Sequence, residues 1–253
     1  MTLKQDIIEI HGLTKHFDGV LAVSELDLSV PRGLVTAIIG PNGAGKTTLF
    51  HMITGFLRPD KGSIHFKGHD LVRFAPYRVA RLGIARTFQD LRLIRQMTLL
   101  DNVLLATSTS ECEGLLSSLR RGYLRCVESA NRKKAIEWLE FVGLQDNSGS
   151  LAGELSYGQQ KLLSLACCLA TGAELLLLDE PVAGVSPTTT ERLLEYLAQL
   201  PSLGRTVLFI EHNLDAVRSV ADRVVVMDEG RKIAEGSWDD VSAASNVLEA
   251  YLA

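Results

Sequence analysis

Residues 35–50 read VTAIIGPNGAGKTTLF. The first five are an uncharged, β-rich run, the pattern of a strand covered on both faces in a parallel sheet. Glycines follow at 40, 43 and 45, a density that suits a loop. A helical pattern resumes from Thr47 to Thr54. The loop matches G-x-x-x-x-G-K-T: Gly40, Pro41, Asn42, Gly43, Ala44, Gly45, Lys46 and Thr47, with Thr48 next. Strand, loop and helix stand in the order this motif requires. The glycines let backbone amides wrap a polyphosphate at a helix N-terminus. Lys46 supplies a cation to the β- and γ-phosphates, and the Thr47 hydroxyl can ligate Mg²⁺. A Gly-rich turn without a ligand is the plainer reading. The full motif favours a nucleoside triphosphate, without separating ATP from GTP.

Working outward, LLLLDE at 175–180 holds a second buried strand, the apolar run Leu175–Leu178 ending in Asp179, with Glu180 one residue further. A carboxylate there lies at the C-terminal edge of the sheet, where α/β ligands bind. Asp179 suits Mg²⁺ through water, and Glu180 can orient or deprotonate an attacking water. Alone, two acids would merely solvate a strand end; beside a phosphate loop they imply hydrolysis. Thr206–Ile210 is a third buried strand, followed by a helical pattern over Asn213–Val220, with another helix over Pro187–Leu200. Short half-polar strands are expected at Ile7–Ile10, Leu26–Val30 and Ser63–Phe66. A helical lobe, from about Ala75 to Leu151, is inserted between the first two buried strands. The expectation is a covered parallel sheet with βα alternation.

GELSYGQQKLLSLACC, residues 153–168, opens another helix. Ser156 serves as N-cap and Gln159 closes a capping box. Gly158 in the first turn costs about 1 kcal/mol against Ala; a helix that needed only to fold would not choose it, whereas one bringing its amides close to an anion would.

Composition bounds the rest. The chain carries net charge −4, but residues 61–134 hold 14 Lys and Arg against 6 acids, and residues 135–253 hold 7 against 18. The plain reading is solvated helix faces, and the sharper one is a basic section that meets an anionic surface. The acidic balance elsewhere speaks against a nucleic-acid binder. No apolar run approaches the ~18 residues of a membrane span, and MTLKQDIIEI lacks the apolar core of a secretory signal. Cys112, Cys126, Cys167 and Cys168 lack metal or redox spacing. A soluble intracellular protein is expected.

Together these segments resemble the ATP-binding subunits of ABC transporters over nearly the whole chain, with LSYGQQ at 155–160 in place of the family's LSGGQ. The resemblance implies an α/β, P-loop NTPase core with a mainly parallel sheet, an antiparallel β subdomain and an inserted helical lobe. The whole is one domain, with core and β subdomain over 1–88 and 160–253 and the helical subdomain over 89–159. It implies ATP with Mg²⁺, and a head-to-tail dimer in which Ser156, Gly158 and Gln159 close on the nucleotide of a second, identical or paralogous subunit. Phe17 then stacks on adenine, Gln89 contacts Mg²⁺ and water, and His212 reaches the γ-phosphate. Membrane permease subunits, and indirectly an extracytoplasmic binding protein, are the implied partners, with the chain peripheral on the cytoplasmic face of the membrane. The basic section would then dock on the permease.

Tyr157 departs from the family's first signature glycine, and Ser186 stands where the family often has Asp. GIARTFQDLRLIRQMTLLDNVLLA, EPVAGVSP and RKIAEGSW are most similar to the ATPases of branched-chain and neutral amino-acid uptake. Urea importers, lipopolysaccharide-type exporters and soluble non-transport ABC ATPases are the alternatives.

Overall fold

The computed structural model describes residues 5–87, 91–107 and 121–244. Its first sheet is antiparallel, built from β1 (Asp6–Phe17), β2 (Val20–Pro31), β4 (Lys61–Phe66) and β5 (His69–Asp70) in the order β2-β1-β4-β5. Asp18 and Gly19, both with positive φ, turn β1 into β2, as a two-residue hairpin requires.

The second sheet has β3 (Val35–Ile39), β6 (Ile84–Arg86), β7 (Leu175–Asp179), β8 (Thr206–Ile210), β9 (Arg223–Asp228) and β10 (Arg231–Gly236). Its order is β10-β9-β3-β8-β7-β6, parallel except for β10. Every residue of β3, β7 and β8 is buried. Successive side chains on a strand point to opposite faces, so these strands feed two cores at once. Val35, Ala37, Leu176, Leu178, Val207 and Phe209 enter one. Ile38, Leu175, Leu177, Leu208 and Ile210 enter the other, with the antiparallel sheet and helix α1 (Lys46–Ile53).

The first core is completed by helices α3 (Leu99–Thr107), α4 (Arg121–Phe141), α5 (Tyr157–Ala170), α6 (Pro187–Gln199), α7 (Leu214–Val220) and α8 (Trp238–Ser242). α3, α4 and α5 pack on one another as the lobe. α5 runs unbroken through residues 159 and 160, where the expected subdomain boundary falls, and its Leu162, Leu163 and Leu169 join the sheet's core. One rod therefore carries the lobe on the sheet.

The expected strands and helices are present, with longer hairpin arms than the apolar runs alone mark. The stretch expected to be helical from 75 contains α2 (Pro76–Arg81) and then the short strand β6. β9 and β10 were not among the expected strands.

Candidate nucleotide site

The phosphate loop is fixed by what its glycines exclude. Gly40 sits at φ 148°, and a Cβ there would lie 1.9 Å from the Met227 carbonyl oxygen. Gly45 sits at φ 92°, where a Cβ would lie 2.3 Å from the Ala22 oxygen. No side chain caps α1 at Gly45, so its leading amides are available to an anion. Lys46 is buried, and its Nζ donates to the carbonyls of Gly40 (2.7 Å) and Pro41 (2.8 Å). Burial pulls the ammonium's pKa down, and the Glu180 and Asp179 carboxylates oppose that. Thr47 is exposed and Thr48 half-buried, while Asn42 and Gly43 are exposed at the loop's crest.

Asp179 pairs with Ile210 across β7 and β8, which brings the residues after both strands to one sheet edge. Glu180 adopts φ 48°, a conformation costing a non-glycine residue about 1–3 kcal/mol. It is held from both ends: its N–H donates to Ile210 (3.0 Å) and its carbonyl accepts from the Lys161 ammonium. Its Oε1 lies 3.2 Å from His212 Nε2. The buried Glu211 ties the two loops together, accepting from the amides of Val182 (2.9 Å), His212 (3.0 Å) and Asn213 (3.3 Å). Burial also pulls the Lys161 pKa down, with Glu211, Glu180 and Asp179 opposing. Asp179 forms a buried 2.8 Å ion pair with Arg86.

The structure thus gathers Lys46, Asp179, Glu180 and His212. Gln89 lies outside the described residues. Phe17 is exposed at the β1–β2 turn, with Lys15 Nζ 5.6 Å from its ring centroid. Arg86, Lys161 and Glu211 were missed by sequence reasoning, each being a charged residue at one end of an apolar run.

At the N-terminus of α5 the capping box forms: Ser156 Oγ accepts from Gln159 N–H (3.3 Å), and Gln159 Oε1 from Ser156 N–H (3.0 Å). Among the described residues, no hydrogen bond or ion pair joins Ser156, Gly158 or Gln159 to the phosphate loop. Gly158 has a neighbour within the chain. A Cβ there would lie 2.9 Å from Thr189 Cγ2 and 3.0 Å from its Oγ1. Folding alone therefore favours glycine at 158, which corrects the expectation that only an approaching anion would. Ser186 caps α6, accepting from Thr189 N–H (3.3 Å), with its hydroxyl 3.0 Å from that of Thr189.

The donors fit Mg²⁺, a cation that takes one or two protein oxygens and completes its shell with water and phosphate. Asp179 is a single buried carboxylate and Thr47 a single hydroxyl, and among the described residues no group of three or more acidic, His or Cys side chains is arranged to hold a metal ion by itself.

Residues 23–183 match the family model for ABC transporters. The chain belongs to the ABC transporter family. It is 37% identical over 252 residues to the high-affinity branched-chain amino acid transport ATP-binding protein LivG of Salmonella typhimurium, covering 99% of each chain. It is 38% identical, with the same coverage, to the BraF protein of that description from Pseudomonas aeruginosa. A probable LivG from Archaeoglobus fulgidus is 39% identical over 97% of this chain and 95% of its own. A nucleotide-free ABC transporter cassette superposes with a TM-score of 0.85 at 35% identity, covering 98% of this chain and all of that one. The ADP conformation of an ABC transporter cassette gives 0.85 at 36%, covering 98% and 99%. The α/β fold is that of an ATP-binding cassette, and this ABC protein is an ATP-hydrolysing transporter subunit.

Proposed function

We propose that two such cassettes close head to tail around two ATP molecules, and that closure drives import of branched-chain or neutral amino acids through membrane permease subunits. The observation that carries the catalytic half is the Glu180–His212 pair, 3.2 Å apart at the sheet edge that also holds Asp179. Lys46 exchanges two loop carbonyls for β- and γ-phosphate oxygens, while the amides from Gly43 to Thr48 surround the same charge. Glu180, fixed by Lys161 and Ile210, takes a proton from the attacking water, and His212 orients its carboxylate and the γ-phosphate. Thr47, Asp179 and Gln89 would hold Mg²⁺, which when bound neutralises charge building on the phosphates. Phe17 offers an exposed ring to the base. Ser156, Gly158 and Gln159 serve the second subunit's nucleotide.

The permease reading is supported by a groove between the sheet edge and α3. Phe56, Tyr77, Ile94 and Leu105 are 44–57% exposed there, flanked by Arg81 and Arg92. Exposed apolar side chains grouped under cations suit an acidic-and-apolar partner segment. Among the described residues no helix is long and apolar enough to cross a membrane; a peripheral place on the cytoplasmic face belongs to the same proposal.

The substrate class rests on the full-length likeness to LivG and BraF. Its test is uptake of labelled leucine, alanine and urea in cells lacking the chain. Leucine or alanine uptake should be lost, and restored by the wild-type chain but not by Glu180→Gln. Loss of urea uptake alone would reassign the substrate.

A further inference from the structure

Arg86 ends β6, the edge strand beside β7. Its side chain is only 4% exposed, an unusual setting for a guanidinium. Nη2 donates to Asp179 Oδ2 at 2.8 Å, and the guanidinium carbon lies 5.5 Å from the centre of the Phe50 ring on α1. The next residue, Thr87, accepts the Asp179 N–H on its hydroxyl (3.2 Å) and donates its own N–H to Leu177 (2.9 Å). The side chain of Asp179 is therefore held by the last residue of β6 and its backbone by the residue that follows, while Phe50 braces the guanidinium from α1, the helix that carries Lys46 and Thr47. Oδ1 of Asp179 forms no hydrogen bond among the described residues.

A buried ion pair is not in itself a functional device, because desolvation offsets most of the attraction. This one differs in what it immobilises. It clamps one oxygen of a carboxylate and leaves the other for a ligand, the arrangement by which outer partners orient metal-binding side chains. We propose that Arg86 is a positioning residue for the metal-holding carboxylate, fixing the Asp179 side chain so that Oδ1 serves Mg²⁺. This rests on the reading of Asp179 given above. The opposite role is chemically distinct: a guanidinium standing in for the metal would have to be displaced, and its removal would tighten metal binding.

The test uses the full chain, with Arg86→Gln, Arg86→Lys and Asp179→Asn. ATP binding is titrated in EDTA, and Mn²⁺ binding to the ATP-loaded chain is followed by electron paramagnetic resonance, alongside the Mg²⁺ concentration giving half-maximal ATPase. R86Q should bind ATP in EDTA as the wild type does, yet hold Mn²⁺ about tenfold or more weakly, the usual scale for losing an outer partner. R86K keeps the charge but offers no fork, and should fall between, about threefold below wild type. Wild-type or tighter Mn²⁺ binding in R86Q overturns the proposal. If R86Q melts below the assay temperature, R86K decides, and unchanged Mn²⁺ binding there overturns it equally. A wild-type chain that binds no ATP, or an Asp179→Asn chain with full metal affinity, counts instead against the nucleotide-site reading.

Discussion

Lys46 is a buried ammonium satisfied by two carbonyls of its own loop, so a polyphosphate gains a cation without having to order one. Lys46→Ala should weaken ATP binding by at least about tenfold, the scale of losing a charged hydrogen-bond partner. Titration checks this, and an unchanged dissociation constant removes Lys46 from the site. At Glu180, the backbone is strained and tied at both ends. A neutral amide there keeps the geometry but cannot take a proton. Glu180→Gln should therefore bind ATP normally and lose about 10²–10⁴-fold in turnover. Closed dimers should accumulate on a sizing column with ATP; near-normal hydrolysis would move the base elsewhere, with His212 tested first. Lys46, Asp179 and Glu180 were legible in the sequence because each follows an apolar strand at a fixed offset. Arg86 was not, because its meaning lies in a partner 93 positions away. Glu211 was hidden by the histidine beside it, which drew the reading to the strand's end.

Among the elements, α5 and α6 meet where Gly158 faces Thr189. A methyl group at 158 would press on a β-branched side chain in a helix, where χ1 is restricted. Gly158→Ala should therefore lower the melting temperature, with a cost of about 1–3 kcal/mol for overpacking. Adding Thr189→Ser, which removes Cγ2, should recover much of that loss. ATPase measured on the recovered pair separates the two demands on the glycine: activity that stays lost assigns it to the second subunit's phosphate, and activity that returns assigns it to packing. Ser186 belongs to the same junction, where its hydroxyl caps α6 as an aspartate would, without the charge. Most helices were legible from caps and periodicity, with Ser156 read as an N-cap; the cap at Ser186 and the short helix α8 were not. β6 was not, since Ile-Ala-Arg is too short to show a period. β9 and β10 were overlooked although Glu229 and Gly230, both at positive φ, join two strands by the kind of turn that marks a hairpin.

For the molecule as a whole, the groove and the nucleotide site lie on two sides of one short strand. Arg86 and Thr87 line the groove and also hold Asp179, so a partner seated there would be one residue from the Asp179 carboxylate. Cysteines placed at Arg92 or Arg95 should cross-link to a permease loop in membranes containing the assembled transporter. Cross-links confined to the acidic residues 135–253 would exclude this face. The lobe's place between the first two buried strands was legible from its lack of β-branched runs. Its fusion with the sheet's core was not, because it depends on which face α5 turns inward. The alternating strands have a consequence for how such a chain can vary in length. Val35, Ala37 and Ile39 belong to one core and Ile38 to the other, so losing a single codon within β3 would exchange the two sets and misfit both. The same holds for β7 and β8. Insertions and deletions should therefore survive only in the connections between strands, and a lineage of these cassettes would diversify by lengthening loops around a sheet whose strands keep a constant number of residues.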